Sequence, residues 1–249
     1  MAAIASYNCM CLPGVNSIEK MKADDNGYYR TILGGFNLNN AHGVYYPLTD
    51  VVKALFAPGG KVRKRLDEGI CRGEYDHPKL DGMKFEDILY RLTIIEPTMI
   101  SHHIKSMELV PIKDHKGADV VAVYGMVRPS GPYGPTLKES MDNREENVTF
   151  SVRAFNTVAM VNGKLNKLVN DIITYDHVSE QGIKIANKFD SVTLEKFERD
   201  LRFTENDFNK VIDKYESVSM EGSNSLITMV KDSYGWNKIQ VVKTSSLNW

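Results

Sequence analysis

The apolar positions of this chain change their period several times, and each change predicts an element. Tyr28 to Leu33 reads as a strand that runs into a turn at Gly34-Gly35, and Asn37 to Pro47 as a turn-rich connector. Val51, Val52, Leu55 and Phe56 then recur at helical spacing until Pro58-Gly59-Gly60 stops the pattern. A second, basic helix is expected from Lys61 to Glu68 and a short one near Phe85 to Tyr90. Thr93 to Ile112 and Ala118 to Val127 read as long neighbouring strands joined at Lys113 to Gly117, a hairpin of the kind that walls a barrel or a sandwich. Asn147 to Phe155 alternates: Val148, Phe150, Val152 and Ala154 fall on one face, Thr149, Ser151 and Arg153 on the other, more polar one. Asn162-Gly163 separates two further apolar runs, the second ending at Tyr175-Asp176-His177-Val178. Leu194, Phe197 and Leu201 mark one late helix, and Phe208, Val211, Ile212 and Tyr215 another. Beyond the polar break Glu221 to Ser225, Leu226 to Val230 with Ile239 to Val242 suggest a closing strand pair.

Composition narrows the partners. A chain of 249 residues, 42% of them hydrophobic, can bury one good core. The net charge of -1 offers no electrostatic footprint for nucleic acid, and no run of 18 apolar residues could span a bilayer. Protein partners are expected. Cys9, Cys11 and Cys71 cannot all pair internally and no signal peptide is visible, which reads as a reducing cytoplasm. Cys9-x-Cys11 lacks the second pair that a zinc site needs, and His102 and His103 point to opposite strand faces, so no metal is expected. Gly134-Pro135-Thr136 stands where a phosphate loop needs Gly-Lys-Ser/Thr, which removes nucleotide and leaves no cofactor to expect.

The candidate chemistry starts at Gly73-Glu74-Tyr75-Asp76-His77-Pro78. Pro78 biases the His77 backbone toward an extended conformation, and Gly73 permits a close approach just before it. The ring is thus presented from a strand end or turn, flanked by the negative charges of Glu74 and Asp76. A serine hydroxyl becomes a good nucleophile when a histidine, itself oriented by a third group, removes its proton. Ser151 is 74 residues from His77 in sequence, so the fold must bring them together.

Several residues carry a resemblance in a fixed order: Tyr46-Pro47, then Gly73-Glu74-x-x-His77-Pro78, a long β segment ending in Gly125, a Gly-Pro-rich turn, Ser151-Val152-Arg153, and Asp176. The set resembles the prohead proteases, the head-maturation serine proteases of T-even-type and related tailed phages, which are similar in fold to the herpesvirus assemblins. It spans residues 37 to 190. The resemblance implies an α+β fold, a mostly antiparallel barrel flanked by helices. The stretches before Asn37 and after residue 190 depart from the pattern and inherit nothing from it; the expected division is a protease domain over 1–190 with an N-terminal extension at 1–36, and a helical and strand extension over 191–249, packed on or appended to that domain. The resemblance also implies a serine endopeptidase with Ser151 as nucleophile and His77 as base. The third member is Asp176 or the adjacent His177: the phage pattern has an aspartate here, assemblin-like enzymes a second histidine, and a carboxylate stabilises an imidazolium more strongly. Expected substrates are phage scaffold or core proteins and major capsid proteins, inside assembling proheads in the host cytoplasm, with a homo-oligomer left open. Cleavage after glutamate is implied, which makes Ser219-Met220-Glu221 and Ser17-Ile18-Glu19 candidates for self-cleavage, whereas a strand context should hide Ser106-Met107-Glu108. A second reading keeps the fold without the activity, as a structural protein of the capsid interior.

Overall fold

Period-two alternation in the middle of the chain builds two sheets. The computed structural model describes residues 5–12, 21–40, 43–114, 117–143, 145–161, 163–178, 201–215 and 221–236. Its strands are β1 (Ala5–Leu12), β2 (Tyr29–Phe36), β3 (Leu38–Asn39), β4 (Tyr45–Tyr46), β5 (Arg72–Glu74), β6 (Ile100–Lys113), β7 (Asp119–Pro129), β8 (Thr149–Val161), β9 (Lys164–Val178) and β10 (Leu201–Phe203). Its helices are α1 (Asp50–Phe56), α2 (Lys61–Asp67), α3 (Phe85–Thr93), α4 (Gly134–Asp142), α5 (Glu205–Tyr215) and α6 (Glu221–Ser233). One sheet has the order β10-β1-β8-β9-β4-β3 and the other β2-β7-β6-β5.

The main core lies between the sheets. Leu33, Phe36, Ile104 and Val123 meet Phe150, Val152 and Tyr175 there, and α1, α2 and α4 add Val52, Leu55, Val62, Leu66, Leu137 and Met141. A second core covers the other face of the six-stranded sheet. Phe155 and Ile173 pack there against Leu89 and Leu92 of α3, Phe203 of β10, Phe208 and Val211 of α5, and Ile227 and Val230 of α6. Each such side chain contributes roughly 1.5–3 kcal/mol by leaving water. The stretches of β8 and β9 around Ser151 and Asp176 are therefore covered on both faces, while Met160 and Val161 near the connecting turn are exposed.

The mixed α+β class agrees with expectation, but the closed barrel does not form. Edge strands that would have to close it are too short: β3 has two residues, β5 and β10 three each. On the β5 side, Tyr75 forms a parallel bridge to His177 of the other sheet. Gly34-Gly35 is no turn either. It lies inside β2, where the register shifts between Ile32 and Gly34 and a residue without a Cβ fits the bulge.

Strands from both flanking regions join the sheets. β1 and β2 fall within the expected extension 1–36, yet β1 pairs with β8 and β2 with β7. β10, which contains the expected helical Leu201, pairs with β1. Covering the edge of β8 in this way removes a row of open backbone groups. Leu194 and Phe197, Glu19, and Ile239 to Val242 lie outside the described residues. Leu226 to Val230 belongs to helix α6, not to a strand: Ile227 and Val230 share one helical face and are buried against α5, which overrides their β-branched propensity. Glu221, expected in an accessible polar break, opens that same helix. Among the described residues no helix is long and apolar enough to cross a membrane.

Candidate active site

The hairpin β8–β9 sets the frame. Ser151 stands directly opposite Asp176, and Phe150 opposite His177. Directly opposed residues of an antiparallel pair share a face, with Cβ atoms roughly 5 Å apart. Ser151, Arg153 and Asp176 therefore project from the helix-covered face, while His177 projects into the main core. All three of the former are fully buried.

His77 arrives from β5. Gly73 is held so close to its neighbours that a Cβ would lie 2.1 Å from the Tyr175 carbonyl oxygen and 2.3 Å from His102 Cε1. The close approach expected of this glycine is thus a contact with β9 itself. The Tyr75 N–H donates to the Met99 carbonyl (2.8 Å) and the Asp76 N–H to the His177 carbonyl (2.7 Å). Asp76 turns the chain with φ at 63°, a left-handed conformation that aspartate tolerates, and its Oδ1 accepts from the His77 N–H at 2.8 Å. This turn puts His77 Nδ1 3.4 Å from Asp176 Oδ2. The imidazole keeps 26% of its side-chain surface open to solvent, whereas Asp176 has none.

Asp176 is held on both oxygens. Its Oδ1 accepts from Arg153 Nη2 (2.8 Å) and the Glu74 N–H (3.1 Å), and its Oδ2 from Arg153 Nε (3.0 Å). Burial alone would push this carboxyl up. The Arg153 guanidinium and the neighbouring His77 outweigh burial and hold it well below the usual carboxylate range. The Ser151 hydroxyl is buried with no hydrogen-bond partner among the described residues, so its oxygen is not tied up in the fold.

His177 sits elsewhere. Its ring lies against Tyr75 and Phe150, with centroids 5.5 Å and 6.0 Å away, and its Nδ1 is buried without a hydrogen-bond partner among the described residues. His102, beneath Gly73, is fully buried and shares a hydrogen bond with Ser101 Oγ at 2.8 Å, while His103 is partly exposed. Burial pushes His102 down to about 3 and His177 down to about 4. In the unfolded chain both rings protonate near pH 6.5. Their neutral burial stabilises the fold fully above that pH, and the contribution is lost as pH falls toward the folded values, by up to about 1.4 kcal/mol per pH unit and ring. Urea unfolding at pH 7 and pH 5 should therefore give a clearly lower stability at pH 5; equal values would contradict this account of the two rings.

Glu74 does not serve His77 as a nearby negative charge. Its carboxylate takes two bonds from Arg91 (3.0 and 2.5 Å), one from the Glu96 N–H (2.7 Å), and lies 3.3 Å from Arg153 Nη2. The sequence reading gave no role to Arg153 or Arg91. A signal for Arg153 existed, because a residue two positions after Ser151 on a strand shares its face. None existed for Arg91 on α3. Among the described residues no group of three or more His, Cys, Asp or Glu side chains is placed to hold a metal ion.

Ser151 and Asp176 thus share a face of the β8–β9 hairpin, and His77 reaches Asp176 from the turn after β5. Residues 7–232 match the Peptidase S80 family. The chain belongs to this family. It is 32% identical over 236 residues to the capsid maturation protease of Pseudomonas phage phiKZ, across 91% of this chain and 86% of that protein. The solved structure of the bacteriophage T4 capsid assembly protease gp21 is similar at 15% identity and a TM-score of 0.45, over 70% of this chain and 98% of that one. Within this S80 peptidase, the match covers every element from β2 to α5.

Proposed function

We infer that this protein is a serine endopeptidase that cleaves scaffold and major capsid proteins inside assembling phage particles. The observation that carries the reading is the 3.4 Å approach of His77 Nδ1 to Asp176 Oδ2, with Ser151 opposite Asp176 on the neighbouring strand. The family and the phiKZ relative support the biological setting.

In this mechanism the Ser151 Oγ attacks the scissile carbonyl carbon while His77 takes the hydroxyl proton. Asp176 accepts from His77 Nδ1 and stabilises the imidazolium. The proton then passes to the leaving amine as the C–N bond breaks, and water, activated by the same ring, hydrolyses the acyl-enzyme ester. The resemblance to prohead proteases supplies the specificity, cleavage after glutamate with a small or aliphatic residue two places before. Self-cleavage remains part of the proposal, at Glu19 or Glu221. At Glu221 the first turn of α6 has to unwind before an extended segment can enter a site.

Co-expression with the capsid and scaffold proteins of the same phage tests the reading. Mass spectrometry of the new C-termini should find glutamate, on those proteins and on this one, and only with the Ser151-bearing chain. Cleavage by the Ser151→Ala protein at the wild-type rate would end the nucleophile assignment. Termini other than glutamate would end the specificity.

A further inference from the structure

Arg153 is an arginine with no exposed surface at all, and its guanidinium is spent on the site's carboxylate. Nε and Nη2 form a fork on the two oxygens of Asp176 at 3.0 and 2.8 Å, while Nη1 donates to the Ile94 carbonyl at 2.8 Å. The same Nη2 lies 3.3 Å from Glu74, which Arg91 grips from α3. Two carboxylates from β5 and β9 and two guanidinium groups from β8 and α3 thus form one charge-balanced set, buried except for Arg91, which is part-exposed. His77 Nδ1 meets it at Asp176 Oδ2.

We propose that Arg153 is a positioning residue of this peptidase, which fixes the plane of the Asp176 carboxylate so that Oδ2 presents its lone pair to His77 Nδ1. This rests on the triad reading above and adds a fourth residue to it. A planar fork constrains a carboxylate in two directions at once, which a point charge does not. Arg153 also supplies the opposite charge that keeps a fully buried Asp176 ionised, and only an ionised carboxylate can both accept from the imidazole and stabilise its positive charge. The β-strand geometry explains why the residue sits two places after the nucleophile: Ser151 and Arg153 share a face, and Asp176 lies across from it.

A double-mutant cycle on kcat, with a peptide spanning a mapped cleavage site, separates positioning from mere stabilisation. Arg153→Lys keeps the charge and loses the fork; kcat should fall about 100-fold with KM nearly unchanged, the loss that a misplacement near 1 Å produces. Arg153→Met combined with Asp176→Asn leaves no unpaired charge at Asp176, so the protein should fold even where a single variant does not. Its kcat should equal that of Asp176→Asn within about threefold, since Arg153 acts only through Asp176. A melting temperature lowered in Arg153→Lys with unchanged kcat would overturn the proposal and leave a structural role. So would a double variant tenfold or more below Asp176→Asn. If Asp176→Asn itself turns over like wild type, the triad assignment fails first and the Arg153 proposal with it.

Discussion

Alanine at Ser151 or at His77 is expected to lower kcat by about 10⁵-fold or more, and alanine at both to cost no more than either alone, because nucleophile and base act as one unit. The fold should survive both changes. Ser151 Oγ is buried with no hydrogen-bond partner among the described residues, so its removal leaves none of them stranded and the melting temperature should be unchanged or higher. His77 is part-exposed at a turn whose geometry rests on the backbone of Tyr75 and Asp76. Kinetics on the two single variants and the double variant, with melting curves for each, check this. Losses that multiply would show that the two residues do not work together.

The second large effect separates the two candidates for the third member. Asp176→Asn should lower kcat by about 10⁴-fold, since an amide holds His77 in the wrong tautomer and cannot stabilise the imidazolium. It should also lower stability by about 3–5 kcal/mol, because Arg153 would lose its main partner while remaining buried. His177→Ala should behave in the opposite way. It opens a cavity between Tyr75 and Phe150 and costs about 2–4 kcal/mol, but molecules that fold should retain most of their turnover. A crippled but stable His177→Ala protein beside an active Asp176→Asn protein would mean a Ser-His-His site.

The contrast between these two neighbours shows what could be read from the sequence. That Asp176 and His177 leave opposite faces follows from strand geometry alone, but which of them faces Ser151 depends on register, and register was visible only as the Asn162-Gly163 turn. With Val161 paired to Lys164 and bulges after Arg153 and Phe155, the register sets Ser151 opposite Asp176. The two long hairpins, and α1, α2 and α5, follow from periodicity because each has one strongly apolar face. Thr149, Ser151 and Arg153 read as the more polar face and are buried. The partners of Thr149 and Arg153 come from β5, β9 and the end of α3, far apart in sequence, so no local pattern announces the burial. α6 was misread for a related reason: Ile227 and Val230 favour a strand by propensity, and only packing against α5 makes them helical.

The central claim is that Ser151 is a nucleophile activated by His77. Treating the purified full-length protein with a fluorophosphonate, followed by peptide mapping, tests it most directly. One adduct on Ser151 is expected, absent after prior replacement of His77 by alanine. An adduct on another residue, or equal labelling of Ser151 in the His77→Ala protein, would contradict the account.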